Sequence, residues 1–309
     1  MFIRWPSIEN HYRSEFIQKA VEEYPDLAVC TYEITEKLHG SNVHFHFEPG
    51  EEMRVATRNR YLEPGSKFYD IWNVLSKYQR MWDEIKAYSN RHSCSIRLFG
   101  ELYGQGVQKG VDYGPKKRIS FFGIMERDAL LSPFWLAGFA IKRGGLEDFL
   151  VPRVTLIEGL QAALDVDTDF PTMINPIEGN ICEGVVIQPY HKVYRLSNGS
   201  TFLLKKKNEA FKEKQKARKT PAPVDSEVAR MRAMFDEYIT EARLQNVFSQ
   251  WGCIEEPKQI GQYIRLVIED ALDDFLKDHG AVWNVATKQQ QGQITKVGAT
   301  VASMLKDFL

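Results

Sequence analysis

The chain has 309 residues, 43% of them hydrophobic and 26% charged, with a formal net charge of −1. These are ordinary values for a globular protein with room for two domains, and they argue against a disordered or strongly polyionic chain. No apolar run reaches the length of a membrane span, and the opening MFIRWPSIENHY does not read as a signal peptide. The four cysteines, Cys30, Cys94, Cys182 and Cys253, are scattered without a C-x-x-C pair. They are expected to be reduced thiols of a cytoplasmic protein, with neither a disulfide frame nor a zinc site.

Residues 7–17 (SIENHYRSEFI) carry apolar side chains at helical spacing and predict a first helix with Ser7 as its N-cap. Residues 28–34 predict a strand, and residues 43–47 (VHFHF) alternate as a half-buried strand does. Between them, EKLHGSN (36–42) puts Lys37 in a tight glycine-containing turn. On these residues alone, the turn is either a solvated hairpin tip or a sheet rim where Lys37 faces a ligand. His44 and His46 share a strand face, but two ligands without a third do not make a metal site. Residues 53–57 predict another strand, with Arg58 just beyond it, where a solvated loop arginine is also at home. Glu63-Pro64-Gly65 predicts a turn. Residues 67–90 space Phe68, Ile71, Trp72, Leu75, Trp82 and Ile85 at three- and four-residue intervals and predict one amphipathic helix.

Residues 95–104 (SIRLFGELYG) predict a buried strand whose Glu101 either bonds a ligand or faces water. The GQGVQKGVDYG that follows has neither P-loop nor dinucleotide-binding spacing. In the predicted strand at 119–124 (ISFFGI), Phe121 and Phe122 point to opposite faces, one into the core and the other free to stack on a base. Residues 146–150 and 156–164 predict short helices, and the stretch 130–180 is assigned no chemistry. Residues 182–189 (CEGVVIQP) predict a short buried strand headed by Glu183, which on its own also reads as a surface residue.

In FLLKKKNEAF (202–211), strand alternation puts Lys205 and Lys207 on one face and Lys206 on the other. Two like charges on a face repel unless an anion lies between them; the alternative is an exposed basic edge that blocks aggregation. Residues 212–219 are strongly basic, and Pro221 and Pro223 follow, predicting a surface linker that hinges or touches phosphates. From residue 226 the pattern is helical: Val228, Met231, Met234, Phe235 and Ile239 form one face, residues 263–276 another, and 297–308 a closing helix.

Together these motifs resemble a known set. The K-x-H-G-x-N from Lys37 to Asn42 is similar to the signature of RNA ligases in the covalent nucleotidyltransferase superfamily. Arg58, Gly100-Glu101, the aromatic strand at Phe122, Glu183-Gly184 and Lys205-x-Lys207-Asn208 follow in that superfamily's order. SIENHY near the start, and YITEARLQNVFSQ and VIEDALDDF near the end, resemble the RNA ligase 2 family of phage double-strand RNA ligases and trypanosome editing ligases. The resemblance implies an α+β fold: an ATP-grasp-like nucleotidyltransferase domain of antiparallel sheets and helices over 1–220, and a smaller all-α domain over 226–309.

The resemblance also implies roles. Lys37 would take AMP from ATP, and Lys205 and Lys207 would bind the α-phosphate. Arg58 would contact the nucleotide or a 5′-phosphate, Glu101 the ribose and Phe122 the adenine, and Glu183 would bind Mg²⁺, with Mn²⁺ as a substitute. His39 would orient phosphates, although on its residues it also reads as tying down the turn. Asn42 would bind nucleic acid or support the turn, and Arg243 and Asp270 would act on the RNA end. Gly123 departs from the pattern, standing where phage relatives carry an acidic residue, so the local backbone there is open. The implied activity is ATP-dependent joining of 3′-OH and 5′-phosphate ends in nicked double-stranded RNA, by a protein expected to be a monomer.

Two other readings compete. A DNA ligase is disfavoured by His39, where DNA ligases and capping enzymes carry aspartate, and by a helical C-terminal region in place of an OB domain. A nucleic-acid-binding protein with an inactive ligase fold requires a lost catalytic residue, and the sequence shows none lost.

Overall fold

The computed structural model describes residues 2–142, 145–211, 227–254 and 256–305. The basic run at 212–219, Pro221, Pro223 and the end of the predicted closing helix lie outside these residues. The chain divides into two compact units, Met1–Ala210 and Phe211–Leu309. The architecture is α+β, antiparallel sheets with helices followed by an all-helical unit.

In the first unit ten strands form two five-stranded sheets among the described residues. The strands are β1 (Glu9–Asn10), β2 (Thr31–Glu36), β3 (Ser41–Phe47), β4 (Arg54–Thr57), β5 (Ile96–Tyr103), β6 (Arg118–Glu126), β7 (Ala129–Leu130), β8 (Arg153–Glu158), β9 (Gly184–Pro189) and β10 (Leu204–Lys207). The first sheet has the order β1-β10-β9-β2-β8 and the second β4-β3-β5-β6-β7. All neighbours are antiparallel except the parallel pair β1·β10. β2 and β3 therefore do not pair, and the Lys37 turn is a crossing between sheets rather than a hairpin tip.

Alternation sorts the side chains of each sheet. In the first sheet, Tyr32, Ile34, Val185, Ile187 and Leu204 pack with α1 (Ser14–Glu23) and with Leu160 and Ala163 of α5 (Leu160–Asp165). In the second, Val43, Phe45, Leu98 and Phe121 face α2 (Ile71–Leu75), α3 (Gln79–His92) and α4 (Pro133–Ile141). A small third cluster joins Phe99 and Met125 of the second sheet to Leu203 and Val186 of the first, with Trp5 among them. The inner faces of the two sheets thus look at one another, and the chain crosses between them at Lys37.

Three predicted elements are corrected. Residues 7–17 are not one helix: Glu9–Asn10 is extended, and α1 begins at Ser14. The backbone of Glu9 and His11 donates to Leu203 O and Lys205 O at 2.9 and 3.0 Å, so the free edge of β10 captures a segment whose local spacing is helical. The predicted 67–90 helix is broken, with left-handed Tyr69 and Asp70 before α2 and a 3-10 turn at Ser76–Tyr78. Tyr78 holds the break by accepting from Ile119 N at 2.9 Å, and Trp82 Nε1 donates to Leu75 O at 3.1 Å, satisfying a carbonyl at the break. Residues 156–158 belong to β8 rather than a helix, because β2 offers that segment a pairing edge; α5 starts only at Leu160.

The second unit contains α6 (Glu227–Asp236), α7 (Glu241–Trp251), α8 (Ile260–Trp283), α9 (Lys288–Ile294) and α10 (Gly298–Leu305). Met231, Phe235, Leu244, Val247, Val267, Phe275 and Val301 form its core. Arg243 lies inside with a side chain 1% exposed. Its Nε donates to Tyr238 O at 2.8 Å, its Nη2 to Asp274 Oδ2 at 2.9 Å, and its Nη1 to the carbonyl (2.8 Å) and carboxylate of Asp270.

Arg243→Ala therefore removes the partner of two acidic groups and two carbonyls. Because both aspartates keep about a quarter of their surface, the loss is expected to be on the order of 2 kcal/mol, below that of a fully buried pair. Thermal unfolding of the full chain, compared with Arg243→Lys, measures it; an unchanged midpoint would show that the cluster is not stabilising.

Candidate active site

Three adjacent strands deliver the centre of the site. Lys37 follows β2, and its N–H donates to Gly184 O at 2.8 Å, extending the register in which Glu36 opposes Val185. β10 lies on the other side of β9, with Lys207 opposite Gly184, and Asn208 N donates to Glu183 O at 2.9 Å. Glu183 is thereby set between Lys37 and Lys207. Gly184 has φ +145°, and a Cβ there would lie 2.1 Å from Lys206 O, so only glycine permits this approach of β10. Gly40 has a similar reason, since its Cβ would meet Leu102 O at 2.2 Å.

The side chains converge on one carboxylate. Lys37 Nζ lies 2.7 Å from Glu183 Oε2, His39 Nδ1 lies 3.3 Å from the same oxygen, and Lys207 Nζ lies 3.1 Å from Oε1. Glu183 is only 3% exposed. Burial alone raises its pKa, but Lys37, Lys207 and His39 outweigh that and hold it well below the usual carboxylate range. Lys206 turns to the other face and donates to Leu164 O and Val166 O at 2.9 and 2.8 Å, leaving Lys205 on the face of Lys207. β10 is flanked by β9 and in part by β1, and its lysines are half-buried, so the exposed-edge alternative does not describe them.

The second sheet adds an opposing wall. Asn42 and Glu101 are direct partners across β3 and β5. Burial pushes Glu101 up to about 8; Lys37 opposes the shift, Glu183 adds to it, and the Gly40 backbone and Arg58 pull it back. That coupling puts Glu101, Glu183, Lys37 and Arg58 in one electrostatic neighbourhood. Asn42 Oδ1 is buried without a hydrogen-bond partner, an acceptor available to a donor.

Phe122 is the unpaired residue of a bulge, because Gly100 opposes Phe121 while Phe99 opposes Gly123. Phe121 is buried in the helix-facing core, and Phe122 meets Trp5 edge to face at 5.1 Å. Trp5 also accounts for Gly123: a Cβ there would lie 2.0 Å from the indole. A groove of about 380 Å³, lined by Glu33, Thr35, Phe122, Leu136, Ile141 and Arg153 among others, opens beside Phe122 rather than at Lys37.

His44 and His46 stay outside this chemistry. Burial pushes both down to about 3, His44 has no ring-nitrogen partner, and His46 bonds Tyr61 and Glu48. Among the described residues no group of three or more His, Cys, Asp or Glu side chains is arranged to hold a metal. Arg243 and Asp270 belong to the second unit, where they pair with each other.

Sequence reasoning missed two supports of the turn. Glu36 is 1% exposed, and its carboxylate accepts from Thr172 Oγ1 and Met173 N, in the stretch assigned no chemistry. His39 N donates to Tyr113 Oη at 2.8 Å. Neither partner has a local sequence signal, since each is brought in by a distant loop.

The family model for RNA ligase matches residues 31–207, from the start of β2 to the last lysine of β10. The chain belongs to the RNA ligase family. A second model, T4 RNA ligase 2 C-terminal, matches residues 223–302 and places the chain with the RNA ligase 2 type of that family. Its fold is similar to that of a Naegleria gruberi RNA ligase mutant with ATP and Mn (TM-score 0.51, 20% identity, covering 68% of this chain and 58% of that one). Another mutant of that protein, with AMP and Mn, matches at a TM-score of 0.50 and 18% identity over 68% and 57% of the two chains. The chain thus spans less than two thirds of these neighbours.

The shift of Glu101 has a testable sign. Between about pH 4.5 and pH 8 the folded protein keeps a proton that the unfolded chain has lost, so stability falls as pH rises through this window. Glu101→Gln is expected to remove that fall, raising the unfolding temperature relative to the parent at pH 9 but not at pH 4. Parallel pH curves would show that Glu101 is not perturbed.

Proposed function

We propose that this chain is an ATP-dependent RNA ligase sealing 3′-OH/5′-phosphate nicks in duplex RNA, through AMP carried on Lys37 and an adenylylated 5′ end. The observation that carries this reading is the convergence of Lys37, His39 and Lys207 on the buried carboxylate of Glu183. Family membership, and ATP or AMP with Mn in the Naegleria gruberi structures, support it.

Lysine attacks phosphorus only as the free amine, and its reference pKa is about 10.4. The Lys37 Nζ lone pair bonds the α-phosphorus of ATP, the α–β bridging P–O bond breaks, and pyrophosphate leaves with that electron pair; the proton lost from Nζ goes to solvent. Lys205 and Lys207 balance the charge gathering on the α-phosphoryl oxygens. Glu101, neutral below about pH 8, donates to a ribose hydroxyl while Phe122 stacks on the adenine. His39 orients phosphate.

An RNA 5′-phosphate oxygen then displaces Lys37 from AMP, Arg58 and Asn42 holding that end. Attack by the neighbouring 3′-OH on the RNA phosphorus seals the strand and releases AMP. Glu183 suits Mg²⁺, or Mn²⁺ in its place: it is an ionised oxygen donor, and without a cluster of acidic partners it leaves positions for waters and phosphate oxygens. When bound, such an ion contributes positive charge next to the phosphates.

In this reading residues 1–220 are the adenylyltransferase and residues 226–309 grip the duplex through its shape, phosphates and 2′-hydroxyls. Arg243 and Asp270 support the RNA end indirectly, by fixing α7 on α8. A cytoplasmic monomer suffices, because one chain supplies every residue named.

The test is sealing of nicked duplexes with ATP and Mg²⁺, varying ribose and deoxyribose separately at the 3′-OH strand, the 5′-phosphate strand and the template. Ribose is expected to be required at the 3′-OH side, single strands are expected to seal poorly, and Lys37→Ala is expected to form no labelled adduct. Equal sealing of all-DNA nicks would reassign the substrate, and full sealing by Lys37→Ala would remove the lysine from the mechanism.

A further inference from the structure

The Lys37 turn is held at four points, two of them explained by the strands and glycines around it and two by contacts with distant loops. Lys37 N is fixed on Gly184 O, Gly40 is pressed against Leu102 O, and Glu36 is tied to Thr172 and Met173. The fourth is His39 N, which crosses to the hydroxyl of Tyr113 at 2.8 Å. Tyr113 comes from the glycine-rich loop after β5 and is 6% exposed. Its ring meets Tyr103 edge to face at 5.0 Å, and Tyr103 Oη is in turn bonded to Ser120 Oγ at 3.0 Å.

The loop bearing Tyr113 is itself clamped. Asp112 N donates to Asn180 Oδ1 at 2.9 Å, and Asn180 Nδ2 returns a bond to Asp112 O at 2.7 Å. Asn175 Nδ2 reaches the same carbonyl at 3.1 Å, and Gly114 N donates to Asp112 Oδ1 at 2.8 Å. Residues 172–180 thus anchor Glu36 directly and Tyr113 through Asp112. This brace spans both sides of the nucleophile.

We propose that Tyr113 is a positioning residue for the attack of Lys37: its hydroxyl fixes the backbone of His39, holding the His39 ring and Lys37 at one oxygen of Glu183, with Asn180 as the anchor of Tyr113. The inference rests on Lys37 as the AMP acceptor. Burial, with Glu36, Glu183 and Glu101 nearby, raises the phenol's pKa, so the hydroxyl remains a neutral acceptor throughout. Tyr113 acts through His39 and Lys37, so its contribution belongs to formation of the Lys37 adduct. Sealing of an end that is already adenylylated does not need Lys37 as nucleophile and is expected to be spared.

The experiment compares the full-length protein with Tyr113→Phe, which removes the hydroxyl and keeps the ring. Single-turnover transfer from α-labelled ATP measures adduct formation, and a nick carrying a preformed adenylylated 5′ end measures sealing. The maximal rate of adduct formation is expected to fall about five- to twentyfold, the equivalent of one hydrogen bond, with the KM for ATP and the sealing of the preformed end within about twofold of the parent. Asn180→Ala is expected to show the same split to a smaller degree, and it decides the matter if Tyr113→Phe does not fold. Adduct formation at the parental rate overturns the proposal. So does an equal loss in both reactions with a lowered unfolding temperature, which marks a structural role. If the parent protein itself forms no labelled adduct, the Lys37 reading fails first.

Discussion

A single buried carboxylate shared by three cationic or potentially cationic groups governs the first unit. Removing Glu183 from water would be strongly unfavourable without partners, and Lys37, Lys207 and His39 meet that cost from two directions. The need to bring them together explains much of the first sheet: β10, β9 and β2 must be neighbours, in the register that sets Lys207 opposite Gly184 and Lys37 beside it. It also explains the glycine after Glu183, since a side chain there would push away the strand that carries Lys207.

Two carboxylates in this neighbourhood are driven in opposite directions. Glu183 is held ionised by adjacent cations, whereas burial and the charge of Glu183 favour the neutral form of Glu101. Environments that separate similar groups in this way let one act as a charge and the other as a hydrogen-bond donor. The separation depends on the sheets facing each other, and the cluster around Trp5 helps fix that arrangement. Trp5 also braces Phe122 and occupies the space beside Gly123, so the departure from the phage pattern at Gly123 is matched by a bulky ring from the start of the chain.

In the helical unit Arg243 plays an organising part comparable to that of Glu183, with the charges reversed. One buried guanidinium collects the carboxylates of Asp270 and Asp274 and the carbonyls of Tyr238 and Asp270, tying α7 to α8. An arginine fork suits this task because its donors are fixed in a plane and its charge is permanent.

Much of the site was legible in the sequence. Lys37, Glu101, Glu183 and the Lys205–Lys207 pair stand in short motifs whose residue types are constrained by charge, and β5, β6 and β9 read directly because their apolar residues mark buried strands. The amphipathic faces of the second unit were equally plain, since helical periodicity is local. The sequence by itself therefore determined the fold class, the family and the chemical groups at the centre. Only the tertiary structure decided that the Lys37 turn crosses between sheets, that the SIENHY segment pairs with β10 instead of coiling, and that the 67–90 helix breaks at Tyr78. It alone disclosed Tyr113, Thr172 and Asn180 as supports of the Lys37 turn. Each of these depends on a partner far along the chain, and strand pairing and cross-loop hydrogen bonds leave no periodicity in the segments they join.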